Sequence, residues 1–146
     1  VRRVAFIVIV GLAFLATMGC KGNNPTSPTT KAPVGTWQAT RAEYVSVADP
    51  SKKVNLVSEG ATVTLVLDAS TFTFTIAKPG ETAQVTTGSW SYTTDTMTLS
   101  PSGTSFTWVF ELNVSQESMT LSGAHVEFNF SGTPEEAILT LVLYRA

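Results

Sequence analysis

The sequence predicts an all-β domain: an antiparallel up-and-down meander closing into a small barrel of eight to nine strands, with a β-sandwich as the alternative packing. Three observations carry this. From residue 34 onward, apolar residues alternate with threonine and serine at period two instead of recurring at helical spacing. Turn signals at Glu59-Gly60, Pro79-Gly80, Thr94-Asp95, Pro101-Ser102-Gly103, Ser115-Gln116-Glu117 and Gly132-Thr133-Pro134 cut that region into short runs. Many short antiparallel strands in sequence favour a barrel or a sandwich, because both manage exposed sheet edges.

Taken in order, the alternation places strands over 36–47, 61–69, 71–78, 83–93, 96–100, 105–113, 118–122, 125–131 and 137–145. The stretch STFTFTIAKPG is the clearest: Phe72, Phe74 and Ile76 point to one side and Thr71, Thr73 and Thr75 to the other, as in a strand with one solvated face. In the first strand Arg41 and Glu43 share the parity of Trp37 and Ala39. Either a bulge after Ala39 flips the register, or an Arg-Glu pair points inward and marks a polar ligand contact. SYTTDTMTLS at 91–100 echoes LNVSQESMTLS at 112–122, each a strand that reverses over a polar turn and resumes as Met-Thr-Leu-Ser. No helix-period run exceeds one short turn.

Ahead of this region the chain reads VRRVAFIVIVGLAFLATMGC, with Arg2 and Arg3 followed by an apolar run at 4–16 and small residues up to Cys20. That is the three-part layout of a secretion signal. A spanning helix needs roughly 20 apolar residues, more than this run supplies. Cys20 is the only cysteine, so no disulfide forms within the chain, and the polar Lys21, Gly22, Asn23 and Asn24 give it nothing to pack against. Here the residues resemble the lipobox of bacterial lipoproteins, with Gly19 before the cysteine. The resemblance implies cleavage after residue 19 and a diacylglyceryl group on Cys20, making the membrane a partner. By the sorting pattern of Gram-negative lipoproteins, Lys21 implies the outer membrane, facing the periplasm or the cell surface. Residues 20–33, with three prolines and no large apolar side chain, read as a flexible tether, and 34–146 as the folded domain.

The formal charge of −2 becomes −4 once Arg2 and Arg3 are removed with the signal. A mildly acidic module lacks the basic patch that nucleic-acid binding requires.

Gly35-Thr36-Trp37 heads the first strand, and Leu143-Tyr144-Arg145 lies in the last. Together these resemble the G-x-W signature of the lipocalin and calycin superfamily and the arginine that stacks across its tryptophan. The same tripeptide pattern recurs as Gly88-Ser89-Trp90. In strand pattern the region is similar to the small lipocalin-like domain of bacterial lipoproteins, which implies a barrel closed at one end by Trp37 and Arg145.

The residues call for no cofactor and no metal. His125 is the only histidine, which excludes a multi-histidine site, and Cys20 lies outside the fold, which excludes a cysteine-histidine zinc cluster. No G-x-S-x-G elbow, phosphate loop or H-E-x-x-H is present. Glu43, Asp68, Glu111 and Glu127 read as outward strand charges that discourage edge pairing. The aromatic residues carry more: Phe106, Trp108, Phe110 and Leu112 share one face of a strand, Val126, Phe128 and Phe130 another, Trp90 and Tyr92 a third. An eight-stranded barrel is wide enough to be filled by such rings or to hold one small ligand. A remaining cavity is expected to be apolar and at the end opposite Trp37, with Trp90, Tyr92, Phe106, Trp108 and Phe128 as candidate contacts. The sequence thus supports a non-enzymatic, membrane-anchored barrel for a small hydrophobic ligand. Its alternative is a filled barrel that serves as a structural or interaction module for another envelope protein.

Overall fold

The computed structural model describes residues 32–146. The expected signal at 1–19, Cys20 and nearly all of the expected tether lie outside the described residues. The rest forms nine strands: β1 (Gly35–Ser46), β2 (Lys53–Asn55), β3 (Thr62–Leu67), β4 (Thr71–Ala77), β5 (Gln84–Tyr92), β6 (Thr96–Pro101), β7 (Trp108–Val114), β8 (Ser118–Asn129) and β9 (Pro134–Arg145). All pairings are antiparallel. Neighbours in sequence pair from β3 to β9, β3 lies beside β1, and β9 returns to β1 to close an eight-stranded barrel. The additional strand, β2, pairs with β1 from outside this circuit.

The elements depart from the sequence reading chiefly at β8, β7 and β2, and β9 begins three residues earlier, at Pro134. The runs at 118–122 and 125–131 are one strand, β8, because Gly123 adopts φ +85° inside a bulge instead of ending the strand. β7 starts at Trp108, which leaves Phe106 off the sheet and 70% exposed. β2 has only three residues and no alternation long enough to announce it.

Period-two burial builds the core. Val63, Leu65 and Leu67 of β3, Phe72 and Phe74 of β4, and Ala137, Leu139, Leu141 and Leu143 of β9 point inward and are buried, while their neighbours face solvent. Fully burying one large apolar side chain contributes about 1.5–3 kcal/mol, so the shared inward face fixes the register of every strand.

Two bulges break this regularity, and both lie against β9. On β1 one extra residue falls between Ala39 and Arg41, and on β8 the extra residue falls between Leu121 and Ala124. The β1 bulge resolves the parity of Arg41 and Glu43. Ala42, Tyr44 and Ser46 take the inward positions, and Arg41 Nη2 pairs with Glu43 Oε1 at 2.6 Å outside the barrel.

Each bulge also coincides with the height at which its strand leaves its other neighbour. β1 pairs with β3 only up to Gln38↔Thr64, and β8 with β7 only through Glu111↔Ser122 to Val114↔Met119. Above the bulges, β8, β9 and β1 peel away as a three-stranded ribbon, since a bulge bends and twists its strand. The split between β1 and β3 is filled by β2 and by Leu56, which is buried. Among the described residues, no strand fills the split between β7 and β8.

Candidate ligand-binding site

The two ends of the barrel differ in chemistry. At the lower end, Trp37 on β1 is fully buried and donates from Nε1 to the Pro33 carbonyl at 2.7 Å. Arg145, its register partner on β9, holds its guanidinium carbon 4.3 Å from the centre of the indole ring. Nε of Arg145 donates to Gln116 O at 2.9 Å and Nη1 to Val34 O at 3.0 Å, tying the last strand to the turn before β8 and to the start of β1. Nη2 is buried with no hydrogen-bond partner among the described residues, so the ring face beneath the guanidinium is its compensation. These contacts shut the lower end.

Trp90 also belongs to the lower half. Its Nε1 donates to Asp68 O at 2.8 Å, its backbone N–H donates to Ser70 O, and Tyr92 stacks on it at 5.4 Å. Tyr92 itself is exposed and faces Leu112 and Val114 in a surface depression near the 93–95 turn.

The upper end is open. A cavity of about 280 Å³ lies at the barrel mouth, where Tyr44 of β1, Phe74 and Ile76 of β4, Trp108 of β7, Phe128 of β8 and Leu56 form its apolar wall. Lys78, Gln84, Thr86, Glu127 and Asn129 contribute its polar part. Two aromatic pairs hold the wall in shape: Trp108 meets Phe74 edge-on at 5.9 Å, and Tyr44 stacks on Phe128 at 4.0 Å. Phe130 meets Phe128 edge-on at 4.8 Å and extends that cluster. Burial pushes the Tyr44 hydroxyl well above the ordinary tyrosine value. It therefore stays protonated, and it makes no hydrogen bond among the described residues, which leaves it a donor beside an apolar surface.

A larger cleft, about 690 Å³, opens sideways in the split between β7 and β8. Thr104, Phe106, Thr107 and Trp108 line one bank and His125, Val126 and Glu127 the other. Trp108, Thr86 and Glu127 border both openings. Against protein-family models, residues 34–121 match the lipocalin-like domain.

The chain belongs to the lipocalin-like domain family.

A search of the curated proteins finds no match, and neither does a search of the solved structures. The family match runs from the start of β1 to Leu121 in β8, so the Gly123 bulge, the upper part of β8 and all of β9 follow it. The lipocalin-like barrel is a fold of the ligand-binding type, and in this lipocalin-like chain a mouth and a closed end are both present.

Of the five aromatic residues singled out from the sequence, the structure brings Trp108 and Phe128 together at the mouth and places Phe106 with Trp108 at the side cleft. Trp90 and Tyr92 are at the other end, because alternation assigns a residue to a face of a strand and not to a height along the barrel. Sequence reasoning missed Tyr44, Phe74 and Leu56. The flip after Ala39 makes Tyr44 inward and is a signal that could have found it. Phe74 already had inward parity, whereas Leu56 sits in a turn and gave no pattern at all.

Proposed function

We propose that this protein is a membrane-anchored envelope lipoprotein whose lipocalin-like barrel binds a small hydrophobic molecule at its mouth, without catalysing a reaction. The supporting observation is the cavity walled by Tyr44, Phe74, Trp108 and Phe128 at the end opposite Trp37. Ligand sites combine apolar walls with placed polar groups; this cavity divides about evenly between its aromatic wall and a polar part to which Tyr44, Gln84 and Lys78 contribute. The volume, about 280 Å³, suits one compact ring system or a short acyl chain more than a long lipid.

The anchor is Cys20, acylated after removal of residues 1–19, with 20–33 as the tether. In a Gram-negative organism this places the barrel at the outer membrane, facing the periplasm or the cell surface. Several acyl chains bind a bilayer stably, since each buried CH₂ contributes about 0.8 kcal/mol.

The test is native mass spectrometry of the mature protein, extracted from its own membrane in a mild detergent. A reproducible added mass that disappears in Phe128→Ala is expected. Apoprotein alone, under conditions that keep a known carrier loaded, overturns the ligand reading. Separately, Cys20→Ser should release the protein from the membrane fraction or stall its processing, and processed material that stays bound overturns the anchor.

A further inference from the structure

We propose that the upper edge of β8, residues 123–129, is a docking edge for an extended peptide segment of a partner protein, alternating basic and apolar residues, which adds to the sheet as a further strand. β8 continues to pair with β9 up to Asn129↔Pro134, but its pairing with β7 stops at Ser122. On the far bank Trp108 and Val109 pair only with β6. A strand with one unpaired edge presents backbone donors and acceptors that template another strand.

The same ribbon shows what such an edge accepts. At its opposite side, β1 is met by β2 through Glu43↔Asn55, Tyr44↔Val54 and Val45↔Lys53, and Leu56 follows into the gap. β2 reads Lys-Val-Asn, and the Lys52 ahead of it pairs with Glu135 at 3.3 Å. A short basic-apolar strand is thus already docked on one side of the ribbon, while the other side faces a cleft of about 690 Å³.

Charge decides between occupants. The acidic and basic side chains that line the cleft are Glu127, Glu135, Glu136 and His125, and no lysine or arginine is among them. His125 Nδ1 meets Glu136 Oε1 at 2.5 Å and Glu135 holds Lys52, whereas Glu127 has no partner among the described residues. A second copy docking β8 on β8 would set these acids against their own likeness, which disfavours self-pairing. Lysines on the outward side of an incoming strand would instead meet Glu127 and Glu136, which pair across β8 and β9 on that face. The inward side would cover Val126 and Trp108, and the exposed Phe106 would form a ledge beside it. The edge is open whatever the mouth binds.

The probe is an acetylated, amidated eight-residue peptide alternating lysine and valine, added to the full-length chain in a neutral detergent. The readout is amide hydrogen exchange over 123–129. In the free chain the amides turned toward the cleft should exchange freely, and saturating peptide should slow them about tenfold or more. Methylating alternate backbone nitrogens of the peptide should abolish this protection. Glu127→Lys with Glu136→Lys, two exposed side chains, should weaken binding about tenfold while the circular dichroism spectrum stays that of the wild-type chain. Protection over 123–129 in the free chain equal to that at 119–121 overturns the proposal. So does equal binding by the methylated peptide, or protection that appears with protein concentration alone.

Discussion

A methyl group on Gly35 would stand 2.5 Å from Nη1 of Arg145. The glycine that opens β1 and the arginine that ends β9, 110 positions later in the chain, are therefore one device: the residue without a side chain vacates the space in which the guanidinium crosses Trp37. Gly35 also has φ +139°, which other residues rarely adopt. Gly35→Ala should lower stability by about 2–4 kcal/mol and Arg145→Lys by about 1–2 kcal/mol, in urea titrations. The two losses should not add, because the first already displaces the second. Additive values would show that Gly35 serves only its own backbone.

Two other glycines separate space from conformation. A Cβ on Gly88 would fall 2.0 Å from the Ser100 carbonyl oxygen and 2.8 Å from Phe72, whereas one on Gly123 meets nothing within 4 Å. Gly88→Ala forces β5 and β6 apart and should cost about 3 kcal/mol or prevent folding. Gly123→Ala strains only the positive φ and should cost about 1–2 kcal/mol, with Gly123→Asn milder. Thermal unfolding of the three variants distinguishes the two causes.

Tyr44 predicts an alkaline limb in the stability curve. Its folded value is raised above the unfolded one by burial, so the native state holds the phenolic proton more tightly. That contribution is complete below about pH 10 and is lost as pH rises above it, by up to about 1.4 kcal/mol per pH unit. Tyr44→Phe keeps the stack on Phe128 and should flatten this limb when unfolding is followed between neutral and strongly alkaline pH. An unchanged slope would mean that another group governs alkaline unfolding.

Leu56 is both a filler of the β1–β3 split and part of the mouth wall. Leu56→Ala should cost about 2–4 kcal/mol while enlarging the mouth, so an anilinonaphthalene sulfonate probe should gain fluorescence over the wild-type chain. Trp90→Phe, at the closed half, should lose stability with no gain in probe signal. Equal probe signal in both variants would remove the mouth as the uptake site.

Much of this architecture is legible in the sequence because burial alternates wherever one face of a strand is wet. The Phe72–Phe74 run and the closing strand with Leu139, Leu141 and Leu143 announce themselves in this way. What stays hidden depends on tertiary partners. Ser122-Gly123 looks like a turn between two strands, and only the unbroken pairing of β9 across it turns that glycine into a bulge. The three residues of β2 carry no period, since their strand state comes from β1. Phe106 fits the alternation of β7 by parity, yet the sheet ends before reaching it.

The pairing of β1 with β9 also sets an order of events. Every other junction of the barrel links strands that are near in sequence, but this one must join residues about a hundred positions apart, and bridging so long a loop slows folding more than it weakens the product. A nascent chain therefore cannot seal its first strand until β9 has emerged as far as Arg145, and a copy without β9 leaves β1 and β8 both without their common neighbour. Completion, for this barrel, is all-or-none.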